Sequence, residues 1–208
     1  MIVSPYWRSL SGEPGGGGLI DEESTTQFKD TAQSMEITLT NGTDDFQSYD
    51  MGAGKAAFSE SFWFRTPGVL GTTSSAMVMM TASTTNTGLG AGNLGFRLYM
   101  SHTSNNVINI SGRGTAFGAA VSVSANTWIR IEIQFVQANT TQIDVYGTDD
   151  VLIGSADITA SNNAPRYLLF GSDGGQHANL DAQLIYFDGI GLDFTDSTFP
   201  LYPFTVGN

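Results

Sequence analysis

The sequence predicts an all-β chain folded as a two-sheet antiparallel sandwich. Three observations predict it. Apolar and polar residues alternate with period two through most of residues 35–195. Clusters of Gly, Asn, Asp and Pro separate these runs at short intervals. No convincing stretch carries the 3.6-residue period of an amphipathic helix, so the strand–helix–strand rhythm of a parallel sheet is missing.

Each run shows the two faces of a half-buried strand. MEITLT places Met35, Ile37 and Leu39 on one side. SFWFR places Phe62 and Phe64 on one side, Trp63 and Arg65 on the other. GFRLYM sets Phe96, Leu98 and Met100 against Arg97 and Tyr99. WIRIEIQF sets Ile129, Ile131, Ile133 and Phe135 against Arg130, Glu132 and Gln134, and QIDVY sets Ile143 and Val145 against Asp144 and Tyr146. SSAMVMMTA, VINIS, VLIGSADI, RYLLFG and LIYFDGIGLDF are further strand candidates. The total, about ten strands, suits two packed sheets. TPG, NTGLGAGN, SGRG, ANT, GTDD, SNNAP and GSDGG supply the turns.

Outside this block the chain changes character. Residues 1–34, with SGEPGGGG inside them, read as an extended N-terminal arm and Gly-rich linker. Residues 35–195 form the sandwich, and residues 196–208 an extended C-terminal tail broken by Pro200 and Pro203. Tyr6 and Trp7 in the arm, and Phe199, Leu201, Tyr202 and Phe204 in the tail, need an apolar surface to cover. They are the expected partner-binding residues.

Composition limits the function classes. Twenty Asp and Glu against eight Lys and Arg leave a net charge of −12, which repels a phosphate backbone and an anionic membrane surface. No nucleic-acid partner is expected. No window approaches the ~18 apolar residues of a membrane-spanning helix, so no membrane insertion is expected either. The absence of cysteine excludes disulfides, zinc–thiolate sites and a Cys nucleophile. The N-terminus shows no basic segment followed by an apolar one, so the expectation is a soluble protein made without a secretion signal.

The run NTWIRIEIQFVQANTTQIDVYGTDDVLIGS (126–155), followed by RYLLFGSDGG and LIYFDGIGLDF, carries a family resemblance. A Trp opens a long alternating strand, and a strand of the I-x-V-Y kind and a polar turn follow. This resembles the concanavalin A-like lectin/glucanase jelly roll, laminin-G-like domains included, over roughly residues 35–195. The resemblance implies a jelly-roll sandwich and leaves function open, because that fold hosts lectins, hydrolases, lyases and viral structural parts.

In LIYFDGIGLDF, Gly189 and Gly191 predict a bulge. Asp188 then accepts hydrogen bonds from nearby turn amides or an Arg; ligand or metal binding is the alternative. Glucanases of the resembled fold use a Glu-x-Asp-x-x-Glu strand, and no such motif is present. Glu132 is the single acid of its strand and is expected to be solvated. The lyase members need a Tyr with a His or Arg in one cleft, for which Tyr99, Arg97, Arg65 and His102 are the available residues. Calcium needs six to eight oxygen ligands. Asp44-Asp45 and Asp149-Asp150 are scattered, and GSDGGQHANLD, with Asp173, Asn179 and Asp181, reads more simply as a turn. GAGNLG (90–95) matches G-x-G-x-x-G but precedes a strand, so it lacks the helix N-terminus that a dinucleotide requires.

These readings lead to a non-enzymatic protein with no cofactor and no metal. The outward residues Trp63, Arg65, Arg97, Tyr99, Arg130, Glu132 and Tyr146 are the candidate carbohydrate-binding set, provided their strands share one sheet. The apolar extremities point to a part of a larger assembly, and the resemblance, since jelly rolls of this type occur in bacteriophage virions, implies a virion component for capsid decoration or in the tail or fibre. It would be made in the host cytoplasm and would clip onto other virion subunits and onto copies of itself. The alternatives are a free carbohydrate-binding module and a polysaccharide-cleaving hydrolase or lyase.

Overall fold

The computed structural model of the chain describes residues 2–3, 21–24, 29, 34–39, 45–68, 77–86, 91–104, 107–114, 118–172 and 184–194. With strands numbered in chain order, the larger, eight-stranded sheet runs β12 (Leu152–Thr159), β11 (Thr140–Tyr146), β10 (Trp128–Val136), β5 (Ala57–Arg65), β14 (Leu184–Asp193), β3 (Ser34–Thr38) and β2 (Asp21–Ser24), and β1 (Ile2–Val3) also pairs with β14. The smaller sheet runs β4 (Asp45–Asp50), β13 (Tyr167–Ser172), β6 (Met77–Ser83), β7 (Leu94–Ser104), β8 (Val107–Arg113) and β9 (Val121–Ser124). Every pairing is antiparallel. The two-sheet sandwich read from the alternation is the observed architecture. The one helical element among the described residues is a 3-10 turn at Ala91–Asn93, inside the G-x-G-x-x-G match, and it leads directly into β7.

The core lies between the sheets, where the predicted inner faces meet. Phe58 stacks on Phe135 with centroids 5.1 Å apart, and Phe96 closes that group. Phe62 meets Phe170 edge-on at 5.6 Å, and Phe187 joins Phe62, Phe64 and Phe170 in a second group. Offset and edge-on ring pairs add about 0.5–1.5 kcal/mol each beyond the area they bury. Met77, Met79, Met80 and Met100 fill the space beside the rings.

Within residues 1–34, expected as an arm and linker, the described residues include two short strands. Ile2 and Val3 pair with Leu192 and Gly191, and Asp21–Ser24 pair with Ser34–Ile37. The edge of β3 has backbone N–H and C=O groups that need a partner strand, which β2 supplies, and β1 supplies one beside Gly191 and Leu192 of β14. Tyr6, Trp7, Phe199, Leu201, Tyr202 and Phe204 lie outside the described residues, as does the loop carrying Asp173, Asn179 and Asp181.

Candidate functional site

Register places the outward residues of the larger sheet in straight cross-strand rows, because directly paired residues point to the same face. The first row reads Glu36, Tyr186, Arg65 and Trp128 across β3, β14, β5 and β10. The second reads Asp188, Trp63, Arg130 and Tyr146 across β14, β5, β10 and β11. The third reads Ser61, Glu132, Asp144 and Ser155 across β5, β10, β11 and β12. Rows two residues apart on a strand are separated by roughly 6.8 Å.

Within the second row, cations lie on rings. The Arg130 guanidinium sits 3.9 Å from the centroid of Tyr146, and the Lys29 ammonium sits 4.8 Å from that of Trp63. In the first row the Arg65 guanidinium sits 5.6 Å from the centroid of Tyr186. Arg130 also donates to Glu132, and through Nε to Asp150 Oδ1 at 2.8 Å. Lys29 is held twice more: its backbone N–H donates to Asp188 Oδ2 at 2.7 Å, and its Nζ donates to the Thr148 carbonyl at 3.0 Å. Burial is the first cause raising the phenol pKa of Tyr146, and Glu132, Asp144 and Asp150 push it further up against the opposing pull of Arg130. The Tyr186 phenol is likewise raised by burial and then by Glu36.

Five of the seven residues expected to form a binding face, Trp63, Arg65, Arg130, Glu132 and Tyr146, do share this face. Arg97 and Tyr99 do not. They point outward from β7 of the smaller sheet, where Arg97 stands opposite Arg113 and Tyr99 opposite Ser111. Alternation tells a strand which side of its own sheet a residue takes, but not which sheet the strand joins. Glu132 was expected to be solvated, and instead it is 0% exposed, ion-paired to an Arg130 that is itself 3% exposed. Trp63 and Asp188 are buried too. The solvent-facing part of these two rows is therefore half-buried Glu36, Arg65 and Trp128 of the first row and Tyr146 of the second, with half-buried Lys29 against Trp63.

Asp188 plays the structural part expected of it. Its Oδ1 accepts from the Gly189 N–H at 2.7 Å and its Oδ2 from the Lys29 N–H. Gly189 has φ +54°, and the register shifts between Asp188 and Gly191, which is the predicted bulge. Asp149 and Asp150 belong to the β11–β12 turn: Asp149 Oδ1 accepts from the Val151 N–H, and Asp150 has φ +66°. Among the described residues no group of three or more His, Asp or Glu side chains could hold a metal ion. Glu132 and Asp144 face each other, both buried, with Glu132 ion-paired to Arg130. Sequence reasoning missed Lys29, Trp128 and Tyr186. Trp128 and Tyr186 could have been found by extending the alternation of their own strands. Lys29 falls in the segment read as an arm.

No family model matches the chain, and no curated protein matches it. Solved structures do. A carbohydrate esterase from the Shiga toxin-encoding bacteriophage phi24B matches with TM-score 0.57 and 15% identity, over 87% of this chain and 89% of that one. An alginate lyase from Alteromonas sp. 272 matches with TM-score 0.52 and 8% identity, over 82% of this chain and 92% of that one. The binding domain of botulinum neurotoxin serotype D matches with TM-score 0.52 and 12% identity, over 84% of this chain but 43% of that one. At these identities the likeness concerns architecture alone. It agrees with the concanavalin A-like resemblance, and the chain shares the jelly-roll β-sandwich fold of these proteins.

Proposed function

We propose that the chain is a non-catalytic, lectin-like β-sandwich carried by a bacteriophage virion, with its glycan site on the outer face of the larger sheet. The observation that supports this most is the presence on one face of Arg65, Trp128 and Tyr146 with Lys29, beside the buried Trp63–Arg130 pair. The indole and phenol offer apolar faces to the C–H side of a sugar ring, and the two cations offer fixed donors to its hydroxyl or acidic groups. A carbohydrate-related role is in keeping with the esterase and lyase among the structural neighbours. The phage origin of a neighbour of nearly equal length favours the virion setting. Attachment to other virion subunits and to further copies of the chain is assigned to Tyr6, Trp7, Phe199, Leu201, Tyr202 and Phe204. The N-terminal share of it would start from a segment that already pairs with β14.

A glycan array probed with the intact protein tests the site. Saturable binding is expected, weakened at least tenfold by Trp128→Ala or Arg65→Ala with the thermal midpoint kept. An array without hits ends the glycan reading. Removal of residues 196–208 should abolish incorporation into particles; a protein that binds glycan yet never joins a particle is a free carbohydrate-binding module. Release of reducing ends or unsaturated products from a polysaccharide would replace both readings with an enzyme.

A further inference from the structure

The inner face of β5 reads Phe58, Glu60, Phe62, Phe64. Glu60 is 0% exposed, and neither of its carboxyl oxygens has a hydrogen-bond partner among the described residues. It stands opposite Ile133 of β10 and Leu192 of β14, both core residues. Along its own strand it lies between the two ring groups, that of Phe58, Phe96 and Phe135 and that of Phe62, Phe64, Phe170 and Phe187. The elements packed around this position present Ile131, Ile133 and Phe135 from β10, and Ile190 and Leu192 from β14. Across the sandwich they present Met80 from β6, Phe96 and Leu98 from β7, and Leu168 and Phe170 from β13. Among the described residues no charged or titratable side chain faces Glu60 from any of them.

A carboxylate in such a place has lost water and gained no partner, a loss that no contact here offsets. The carboxylic acid is neutral and fits. We propose that Glu60 makes the core an acid-stabilised conformational device: the sandwich closes on the protonated acid and loosens as the surroundings turn from acidic to neutral and alkaline. Burial pushes the Glu60 carboxyl well above the ordinary carboxylate range, which agrees with this. The sign follows from linkage. Unfolded, the residue loses its proton above about pH 4.3. Folded, it keeps the proton to a higher pH. Between these two points the folded state binds more protons, so folding weakens as pH rises, by about tenfold in the folding constant for each pH unit. Below the window the effect is absent. Because β5 carries Trp63 and Arg65 on its other face, the same strand links the state of the core to the order of the outer face.

Urea unfolding of the intact chain at pH 5 and pH 8 tests this, with wild type, Glu60→Gln and, as a control for lost charge, the exposed Asp157→Asn. The wild-type folding constant should fall by roughly ten- to a thousandfold between the two pH values. Glu60→Gln should be more stable than wild type at pH 8 and lose most of that dependence, and Asp157→Asn should keep it. A Glu60→Gln protein with the wild-type slope, or one less stable than wild type at pH 8, overturns the proposal. Infrared spectroscopy supplies a second readout. Wild type at pH 5, above the unfolded value, should show the carbonyl band of a protonated carboxyl that Glu60→Gln lacks, and absence of that band overturns the proposal equally.

Discussion

Arg130 and Tyr146 stand directly opposite each other on β10 and β11, and the guanidinium carbon lies over the phenol ring, 3.9 Å from its centroid. The contact fixes one face of Arg130 while its N–H groups reach Glu132 and Asp150. Buried Glu132 has a place on this sheet because Arg130 neutralises it. Arg130→Ala should therefore destabilise by about 3–5 kcal/mol, since it leaves a buried carboxylate without its cation. Arg130→Lys should fall between the two, because an ammonium keeps the charge and loses the planar fork. The double variant Arg130→Met/Glu132→Leu should regain most of the loss in urea unfolding. A double variant as unstable as Arg130→Ala contradicts the account.

The same residues show how far the sequence could be read. Period two assigned Phe62 and Phe64 to the inside and Trp63 and Arg65 to the outside, and every such assignment on β5, β10 and β11 agrees with the structure. Pairing between strands distant in sequence is what alternation cannot supply. Arg97 and Arg130 look equivalent in their own strands, yet one belongs to each sheet. Outward is also not the same as exposed, as Glu132 shows. Glu60 was legible in principle: in AFSESFWFR it is the polar residue that falls in phase with the phenylalanines. Lys29 was not, because its contacts depend on a strand pairing, β2 on β3, that four residues of DEES do not announce.

Val151, Leu152 and Ile153 are 60%, 50% and 47% exposed, at the start of β12, which is an edge of the larger sheet. An uncharged aliphatic edge invites strand-to-strand association. Leu152→Lys together with Ile153→Thr should change folding stability by no more than about 0.5 kcal/mol, because little burial is lost. The same change should lower self-association in sedimentation at high protein concentration. A stability loss of several kcal/mol would show that these side chains are covered in the native protein.

Two glycines make a paired test of close approach. A methyl added at Gly114 would overlap the Thr159 carbonyl oxygen, an atom of β12 backbone that cannot swing away. At Gly92, in the 3-10 turn before β7, a methyl meets nothing within 4 Å. Gly114→Ala should cost about 1–3 kcal/mol through overpacking, and Gly92→Ala should be close to neutral. Thermal melts of the two single variants measure the difference, and equal midpoints would refute the packing of 114 against β12.

The Asp50–Arg166 pair tests pH dependence in the direction opposite to Glu60. Two bonds join the groups, Nε to Oδ1 at 2.8 Å and Nη2 to Oδ2 at 2.6 Å, and they tie the end of β4 to the residue before β13. The hydrogen bond from Arg166 is the main cause holding the Asp50 carboxyl below its usual range, and the Gly52 N–H adds to it. A depressed folded pKa means stability that is complete above the unfolded value and lost as pH falls through the folded one. The side chains of Asp50 and Arg166 are 42% and 45% exposed, so solvent screening keeps the contribution small. Asp50→Asn should thus cost that small amount at pH 6, and its stability should converge with wild type as the pH falls through the depressed folded value, below which both carry a neutral side chain at this position. Added salt should shrink the pH 6 difference. A difference that does not shrink as the pH is lowered would mean that the pair acts through packing and hydrogen-bond geometry, not through charge.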